Sequence, residues 1–142
     1  MKIFLDTSSL FKLYHIENGT QELMDFIKTH VIEGVFLAEI TRIKFSSIVW
    51  KKCRKKEIDK LRAQILIDKF DSDSKNFYFV DDNKELKESA KNLIGKYWGK
   101  GLRTLDSIQL ASALVIKSEI EYLFTSDILL SEIAVLEGIK IK

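Results

Sequence analysis

The chain alternates short apolar runs with longer segments of helical periodicity. The runs are rich in β-branched and aromatic residues, and the segments between them carry hydrophobic residues at spacings of three and four. Nearly continuous apolar strands separated by helices are typical of a parallel sheet that is buried on both faces. We therefore predict an α/β fold, a three-layer α/β/α sandwich with a mainly parallel sheet of about five strands, at residues 2–5, 35–38, 77–80, 122–124 and 139–141.

Size and composition indicate one domain, which we expect to span residues 1–142. The sequence has 142 residues, of which 46% are hydrophobic, and it contains no proline. No segment resembles a linker, a repeat or a low-complexity tract. Basic residues exceed acidic ones by only two, 23 against 21, so charge alone does not indicate a nucleic acid partner.

Cysteine usage and the first residues indicate a cytoplasmic protein. Cys53 is the only cysteine, so no disulfide can form within the chain. Asp6 lies too early for the apolar core of a signal peptide, and no apolar run approaches the length of a membrane span. We expect no membrane partner.

Three aspartates lie where helices are predicted to begin. Asp6 ends the first strand, Asp127 follows the strand at residues 122–124, and Asp106 lies in the first turn of an apolar helix for which Thr104 is the predicted N-cap. Each aspartate alone would serve as a helix cap or as a partner of the helix dipole. Because the carboxyl ends of parallel strands meet at one edge of a sheet, we expect the three carboxylates to converge there.

Converging carboxylates imply a particular chemistry. They raise one another's pKa unless a cation lies between them. Oxygen ligands without histidine or cysteine favour Mg²⁺ or Mn²⁺ over Zn²⁺. Such a cluster can activate water and neutralise the charge that develops when a phosphodiester is cut.

The stretch LAEITRIKF contains an unexpected cation. Thr41 is the predicted N-cap of a helix, and three residues after a capping threonine the usual residue is Glu or Gln. This sequence has Lys44 at that position.

Four segments, MKIFLDTSSLFKLY, EITRIKFSS, GLRTLDSIQLASAL and FTSDILL, occur in this order. Together they resemble the PIN-domain ribonucleases, and most closely the VapC toxins of toxin–antitoxin pairs, over essentially the full chain. The resemblance implies an endoribonuclease that depends on Mg²⁺ or Mn²⁺ and cuts structured RNA such as transfer RNA. It also implies a cognate antitoxin peptide that lies across the acidic groove, and we expect a homodimer.

Carried over by position, the resemblance makes Asp6, Asp106 and Asp127 the catalytic acids and metal ligands, with Ser8 as the supporting hydroxyl. The second acid of the family, a Glu, falls at Lys44. The sequence therefore predicts an attenuated or inactive nuclease, and the alternative is a non-catalytic PIN-like module that binds RNA or an antitoxin. Glu39 is a candidate substitute, although it lies five residues before Lys44 and near the end of a strand.

The densest basic run contains Lys51, Lys52, Arg54, Lys55 and Lys56. Together with Arg103, its members Lys51 and Lys52 are candidate RNA contacts; a solvated helix end explains the run equally well.

Aspartyl-phosphate enzymes are a competing class. Phosphatases of that class need two aspartates separated by one residue after the first strand, and position 8 is Ser.

Overall fold

The computed structural model describes residues 1–142. Its sheet has four parallel strands, in the spatial order β3-β2-β1-β4: Lys2–Leu5 (β1), Gly34–Ala38 (β2), Tyr78–Val80 (β3) and Tyr122–Phe124 (β4). In register, Ile3 pairs with Val35 of β2 and with Tyr122 of β4. The predicted mainly parallel α/β fold is confirmed.

The prediction of a fifth strand at residues 139–141 is wrong. This segment forms only an isolated parallel bridge between Leu123 and Ile141. Two backbone hydrogen bonds hold it: the Leu123 N–H donates to the Lys140 carbonyl at 2.9 Å, and the Lys142 N–H donates to the Leu123 carbonyl at 3.1 Å. The apolar run resembles a strand in sequence, but its pairing is too short to extend the sheet.

Seven helices and two short 3₁₀ turns, at Ser74–Asn76 and Trp98–Lys100, connect the strands. None of these helices has the length and apolar character needed to cross a membrane. The helices are Thr7–Phe11 (α1), Thr20–Thr29 (α2), Thr41–Arg54 (α3), Lys60–Asp73 (α4), Lys84–Lys96 (α5), Thr104–Val115 (α6) and Ile128–Leu136 (α7).

The helices divide into two layers, one on each face of the sheet. Residues from α5, α6 and α7 form a core of 17 buried residues with one face, and residues from α1 to α4 form a core of 13 with the other. Strand β1 contributes to both, because side chains alternate along a strand: Phe4 belongs to the first core, whereas Ile3 and Leu5 belong to the second. This arrangement explains why the three buried residues of β1, Ile3, Phe4 and Leu5, are all apolar.

The strand order places a crevice beyond the carboxyl end of β1. From β1 the chain proceeds outward to β2 and β3, and it then returns to β4 on the other side of β1. At this reversal the Asp6 N–H donates to the Phe124 carbonyl at 3.1 Å, which joins the ends of β1 and β4. Connections diverge to opposite faces at such a point, and ligands of open α/β sheets bind there.

Two predicted helix caps are wrong. Ile40, with α-helical backbone angles, is the N-cap of α3, and Arg103, with extended backbone, is the N-cap of α6; neither provides a side-chain cap. Thr41 is the first residue of α3, and its hydroxyl points into the core rather than toward the helix terminus. Lys44 therefore lies four residues after the cap, and the capping argument for an acid at position 44 fails. The family pattern remains the reason to expect one.

Candidate active site

Asp6 lies at the carboxyl end of β1 and is only 3% exposed. Its Oδ1 atom accepts a hydrogen bond from the Ser9 N–H at 2.7 Å, which caps α1. Its Oδ2 atom accepts one from the Thr125 hydroxyl at 2.5 Å and a longer one from the Ser8 hydroxyl at 3.4 Å. Asp6 is therefore a cap, and it is also a link between β1 and the loop after β4.

Asp106 lies in the first turn of α6, and its side chain is 19% exposed. Burial raises the pKa of this carboxyl, and the positive charge of Lys44 opposes that rise. The negative charges of Asp127 and Asp6 raise the pKa further, and Arg103 lowers it. The carboxylates of these three aspartates are thus close enough for their charges to interact.

Lys44 extends from the first turn of α3 toward Asp106. Its Nζ atom lies 3.9 Å from Asp106 Oδ1, and its side chain is 24% exposed. Lys44 is the only ion-pair partner of Asp106. The position where the family pattern has a Glu therefore holds an ammonium that faces the acids. Glu39 is engaged elsewhere, because its carboxylate binds Arg42 Nε at 2.9 Å.

Asp127 begins α7 after β4. Its Oδ1 atom accepts a hydrogen bond from the Leu130 N–H at 2.8 Å, so it caps the helix. Its own N–H donates to the Thr125 hydroxyl oxygen at 3.1 Å. Because the Thr125 hydroxyl donates to Asp6 in turn, one threonine connects the two capping aspartates.

A buried polar cluster joins the three elements that carry Asp6, Lys44 and Asp106. Thr7 and Thr41 are fully buried, and their hydroxyl oxygens lie 3.2 Å apart. The Gln109 side-chain amide donates to Thr7 at 2.9 Å and to Thr41 at 3.3 Å, while its Oε1 atom has no partner. We name these three residues the Thr-Thr-Gln cluster. It ties the starts of α1 and α3 to α6.

The three aspartates do not form a preformed metal site. No group of three Asp, Glu, His or Cys side chains is arranged to hold a metal ion. Asp6 and Asp127 each use one carboxylate oxygen for a helix cap, and the ammonium of Lys44 faces Asp106. In this arrangement the residues do not fit a divalent ion. A tethered ammonium supplies positive charge beside the acids instead.

The predicted RNA contacts differ in their surroundings. Lys51 is exposed, whereas the Nζ atom of Lys52 lies 3.6 Å from Glu17 and 3.1 Å from Glu57, so its charge is largely neutralised. Arg103 is exposed at the start of α6, where its charge acts on Asp106 without an ion-pair contact. Of the three, Lys51 and Arg103 are the ones that remain unpaired by carboxylates.

Sequence reasoning assigned no role to Thr125, Thr7 or Gln109. Gln109 had a recognisable signal, because it is a long polar side chain in an otherwise apolar helix, and buried polar groups need partners. Thr125 had a weaker signal, since it stands between an apolar strand and Asp127. The bonds from Gln109 to Thr7 and from Thr125 to Asp6 span 102 and 119 positions, so spacing could not locate them.

Comparisons with known proteins identify the family of this chain. The model of the PIN domain family matches residues 3–136. A comparison with curated proteins finds no match.

Several solved structures have the same fold. FitAcB from Neisseria gonorrhoeae is 14% identical with a TM-score of 0.67, and the match covers 98% of this chain and 95% of that one. VapC20 from Mycobacterium tuberculosis, a toxin that cleaves the sarcin-ricin loop, is 14% identical with a TM-score of 0.68 over 96% and 95%. VapBC2 from Rickettsia felis, solved with promoter DNA, is 14% identical with a TM-score of 0.64 over 100% and 98%. The family match spans nearly the whole sequence, and we conclude that this chain belongs to the PIN domain family.

Proposed function

We propose that this chain is a VapC-type toxin whose metal-dependent endoribonuclease activity is attenuated by Lys44. PIN domains are typically nucleases that use divalent metal. The observation that carries the proposal is the approach of Lys44 Nζ to 3.9 Å from Asp106 Oδ1, at the position where the family pattern has an acid. In the active form the substrate is structured RNA such as transfer RNA, and the ion is Mg²⁺ or Mn²⁺.

The proposed roles follow from position and charge. In the active form, with an acid in place of Lys44, Asp6, Asp106 and Asp127 would be the catalytic acids and metal ligands, and Ser8 would support Asp6. The ammonium of Lys44 disfavours an incoming cation, since two unit charges about 4 Å apart interact by roughly 4 kcal/mol at an effective dielectric constant near 20. It also neutralises Asp106, which would otherwise attract that cation.

Partners and location complete the proposal. Among the similar structures are a toxin–antitoxin complex from Klebsiella pneumoniae and FitAB bound to a DNA fragment. These neighbours support an antitoxin peptide as the partner of this chain. We also propose a cytoplasmic location and a homodimer.

The decisive experiment replaces Lys44. Lys44→Glu removes the ammonium and adds the missing acid, so we expect cleavage of transfer RNA in Mg²⁺ or Mn²⁺ to rise by about a hundredfold, within the range of general acid–base effects. Lys44→Gln is the matched control, because it removes the charge without adding an acid, and it should gain much less. Lys44→Glu combined with Asp106→Asn should be as inactive as the parent. No gain in Lys44→Glu contradicts the proposal.

The second candidate function is binding without cleavage. It is favoured by the absence of a preformed cluster of metal ligands. A chain with this function binds RNA or an antitoxin both as the parent and as the Lys44→Glu variant, and neither form cuts RNA. Thermal unfolding with Mn²⁺ separates the two candidates, because ligand that binds only the folded state raises the melting temperature. The nuclease proposal requires a rise in Lys44→Glu that is larger than in the parent chain.

A further inference from the structure

A cavity lies directly beside Asp6, between α1, α2 and the loop after β4. Its volume is about 230 Å³. Because one water occupies roughly 30 Å³ of liquid, this space can admit a group the size of a phosphate. The polar part of its lining consists of Ser9, Lys12, Glu22, Thr125, Ser126 and Lys142. We name it the Lys12 cavity.

The Lys12 cavity is connected to the acidic site through two of its lining residues. Thr125 lines the cavity, and its hydroxyl donates to Asp6 Oδ2. Ser9 also lines it, and the Ser9 N–H donates to Asp6 Oδ1. A ligand bound in the cavity therefore contacts residues that bind Asp6 directly.

Lys12 has no acidic partner. Its side chain is partly buried, and its ammonium donates to the Ser126 hydroxyl at 2.5 Å without forming an ion pair with any carboxylate. Lys52, by contrast, is bound by both Glu17 and Glu57. The contact between Lys12 and Ser126 is exposed, and the Lys12 ammonium has no counter-anion there. An anion that enters the cavity can therefore form a charge-assisted hydrogen bond with it.

A second cavity has a volume of about 240 Å³ and is lined by Ser8, Lys51 and Lys55. Lys52, Glu17 and Glu57 also line it, and the two glutamates pair with Lys52. The consecutive residues Ser8 and Ser9 thus line different cavities, and both bind the carboxylate of Asp6. A strand of RNA carries a negative charge on every backbone phosphate. It can therefore place one phosphate in each cavity and a third phosphate at Asp6.

We propose that the Lys12 cavity is a subsite for a backbone phosphate of the RNA strand, next to the phosphodiester that faces Asp6. This inference rests on the proposed function and names the groups that hold its substrate. Lys12 provides the charge, and the hydroxyls of Ser9 and Ser126 provide neutral donors. The apolar walls formed by Leu23 and Phe26 accommodate the adjoining ribose.

Binding of RNA to the parent chain in metal-free buffer tests the subsite without requiring cleavage. The probe is a fluorescent single-stranded RNA of about ten nucleotides, a length within the site sizes of single-strand binding proteins. Lys12→Gln should weaken binding about fivefold at low salt and reduce the slope of log K against log salt by about 0.7, the value for one phosphate contact. Lys12→Arg should retain both affinity and slope.

Lys91→Gln is the matched control, because Lys91 is exposed, unpaired and located on α5 across the sheet. Equal effects of Lys12→Gln and Lys91→Gln would overturn the subsite, since only net charge would then matter. A loss of inorganic phosphate binding in Lys12→Gln without a loss of RNA binding would also overturn it. Loss of RNA binding in Lys12→Gln supports the subsite even if Lys44→Glu fails to cleave, so the two proposals can fail separately.

Discussion

The corner before α4 and the junction after β1 each begin a helix with an aspartate in the same local geometry. Asp59 Oδ1 accepts a hydrogen bond from the Arg62 N–H at 2.7 Å, and Asp6 Oδ1 accepts one from the Ser9 N–H at 2.7 Å. The Asp59 carboxylate is exposed and makes no other hydrogen bond, whereas Asp6 is buried and its second oxygen accepts from Thr125. Both aspartates cap a helix, so the cap does not distinguish them. What distinguishes Asp6 is that its Oδ2 atom is buried and accepts a hydrogen bond from Thr125.

Asp106 differs from both capping aspartates. It caps no helix, and its partner is the ammonium of Lys44 rather than a backbone N–H. Burial raises its pKa, so its charged form is less favourable in the folded chain than in the unfolded chain. Its position in the first turn of α6 favours a negative charge through the helix dipole, but it supplies no hydrogen-bonded cap. A half-buried carboxylate with a raised pKa that faces Lys44 and two other acids is therefore an indication of a functional site.

The largest expected effect comes from truncating the two caps. Asp6→Ala should lower the free energy of unfolding by about 2–3 kcal/mol, because it leaves the Ser9 N–H and the Thr125 hydroxyl without a partner in a buried setting. Asp59→Ala should cost about 1 kcal/mol, which is typical of an exposed cap. Urea denaturation of both variants measures the difference. Equal losses would mean that the second oxygen of Asp6 contributes nothing to stability.

The Thr-Thr-Gln cluster has no counterpart at the corner before α4, and its removal should have an intermediate effect. Gln109→Met keeps the length of the side chain but removes two hydrogen bonds and one unpaired acceptor, so we expect a loss of about 1 kcal/mol. Gln64→Met is the control, since Gln64 is exposed on α4 and binds only Asp68. Carboxyl NMR titration should also show a changed pKa of Asp106 in Gln109→Met and no change in Gln64→Met. An unchanged titration in both would remove the cluster's positioning role.

The layers of the fold could be predicted from the sequence because they depend on local periodicity. Apolar runs long enough for a buried strand identified all four strands, and the helical spacings identified the elements that cover them. The run at residues 139–141 misled because strand pairing is a tertiary property that composition does not contain. Thr41 misled for a related reason: its hydroxyl bonds Thr7 and Gln109, which lie 34 and 68 positions away.

The candidate site was predictable to the extent that topology alone locates it. Asp6 and Asp127 follow the neighbouring parallel strands β1 and β4, whose carboxyl ends meet at one edge, so strand topology predicts that these two lie near each other. Asp106 follows α5 and a 3₁₀ turn rather than a strand, so the strand assignment does not locate it. The details depend on side-chain directions, which spacing does not give. The hydrogen bond from Thr125 to Asp6 and the direction of Lys44 toward Asp106 are of this kind.

The smallest expected effect is a change in melting temperature when the charge of Asp106 is removed, and its sign should be opposite to that at Asp59. Because burial raises the pKa of Asp106 above its ordinary value of 3.8, the folded chain binds this proton more tightly than the unfolded chain. Below pH 3.8 the carboxyl is protonated in both the folded and the unfolded chain, so it does not change the free energy of unfolding. As the pH rises from there through the raised pKa, the folded chain loses stability. Asp106→Asn should raise the melting temperature at neutral pH by roughly 1–2 °C and leave it unchanged in acid.

Asp59→Asn should have the opposite sign, because an exposed cap loses its favourable interaction with the helix dipole. Lys44→Gln provides a further check, since Lys44 opposes the rise of the Asp106 pKa. The gain from Asp106→Asn should therefore be larger when Lys44 is replaced by Gln than when it is present. Scanning calorimetry of the parent, both single variants and the double variant across the acid range measures this coupling. A gain that is independent of Lys44 would mean that the ammonium does not stabilise the ionised form of Asp106.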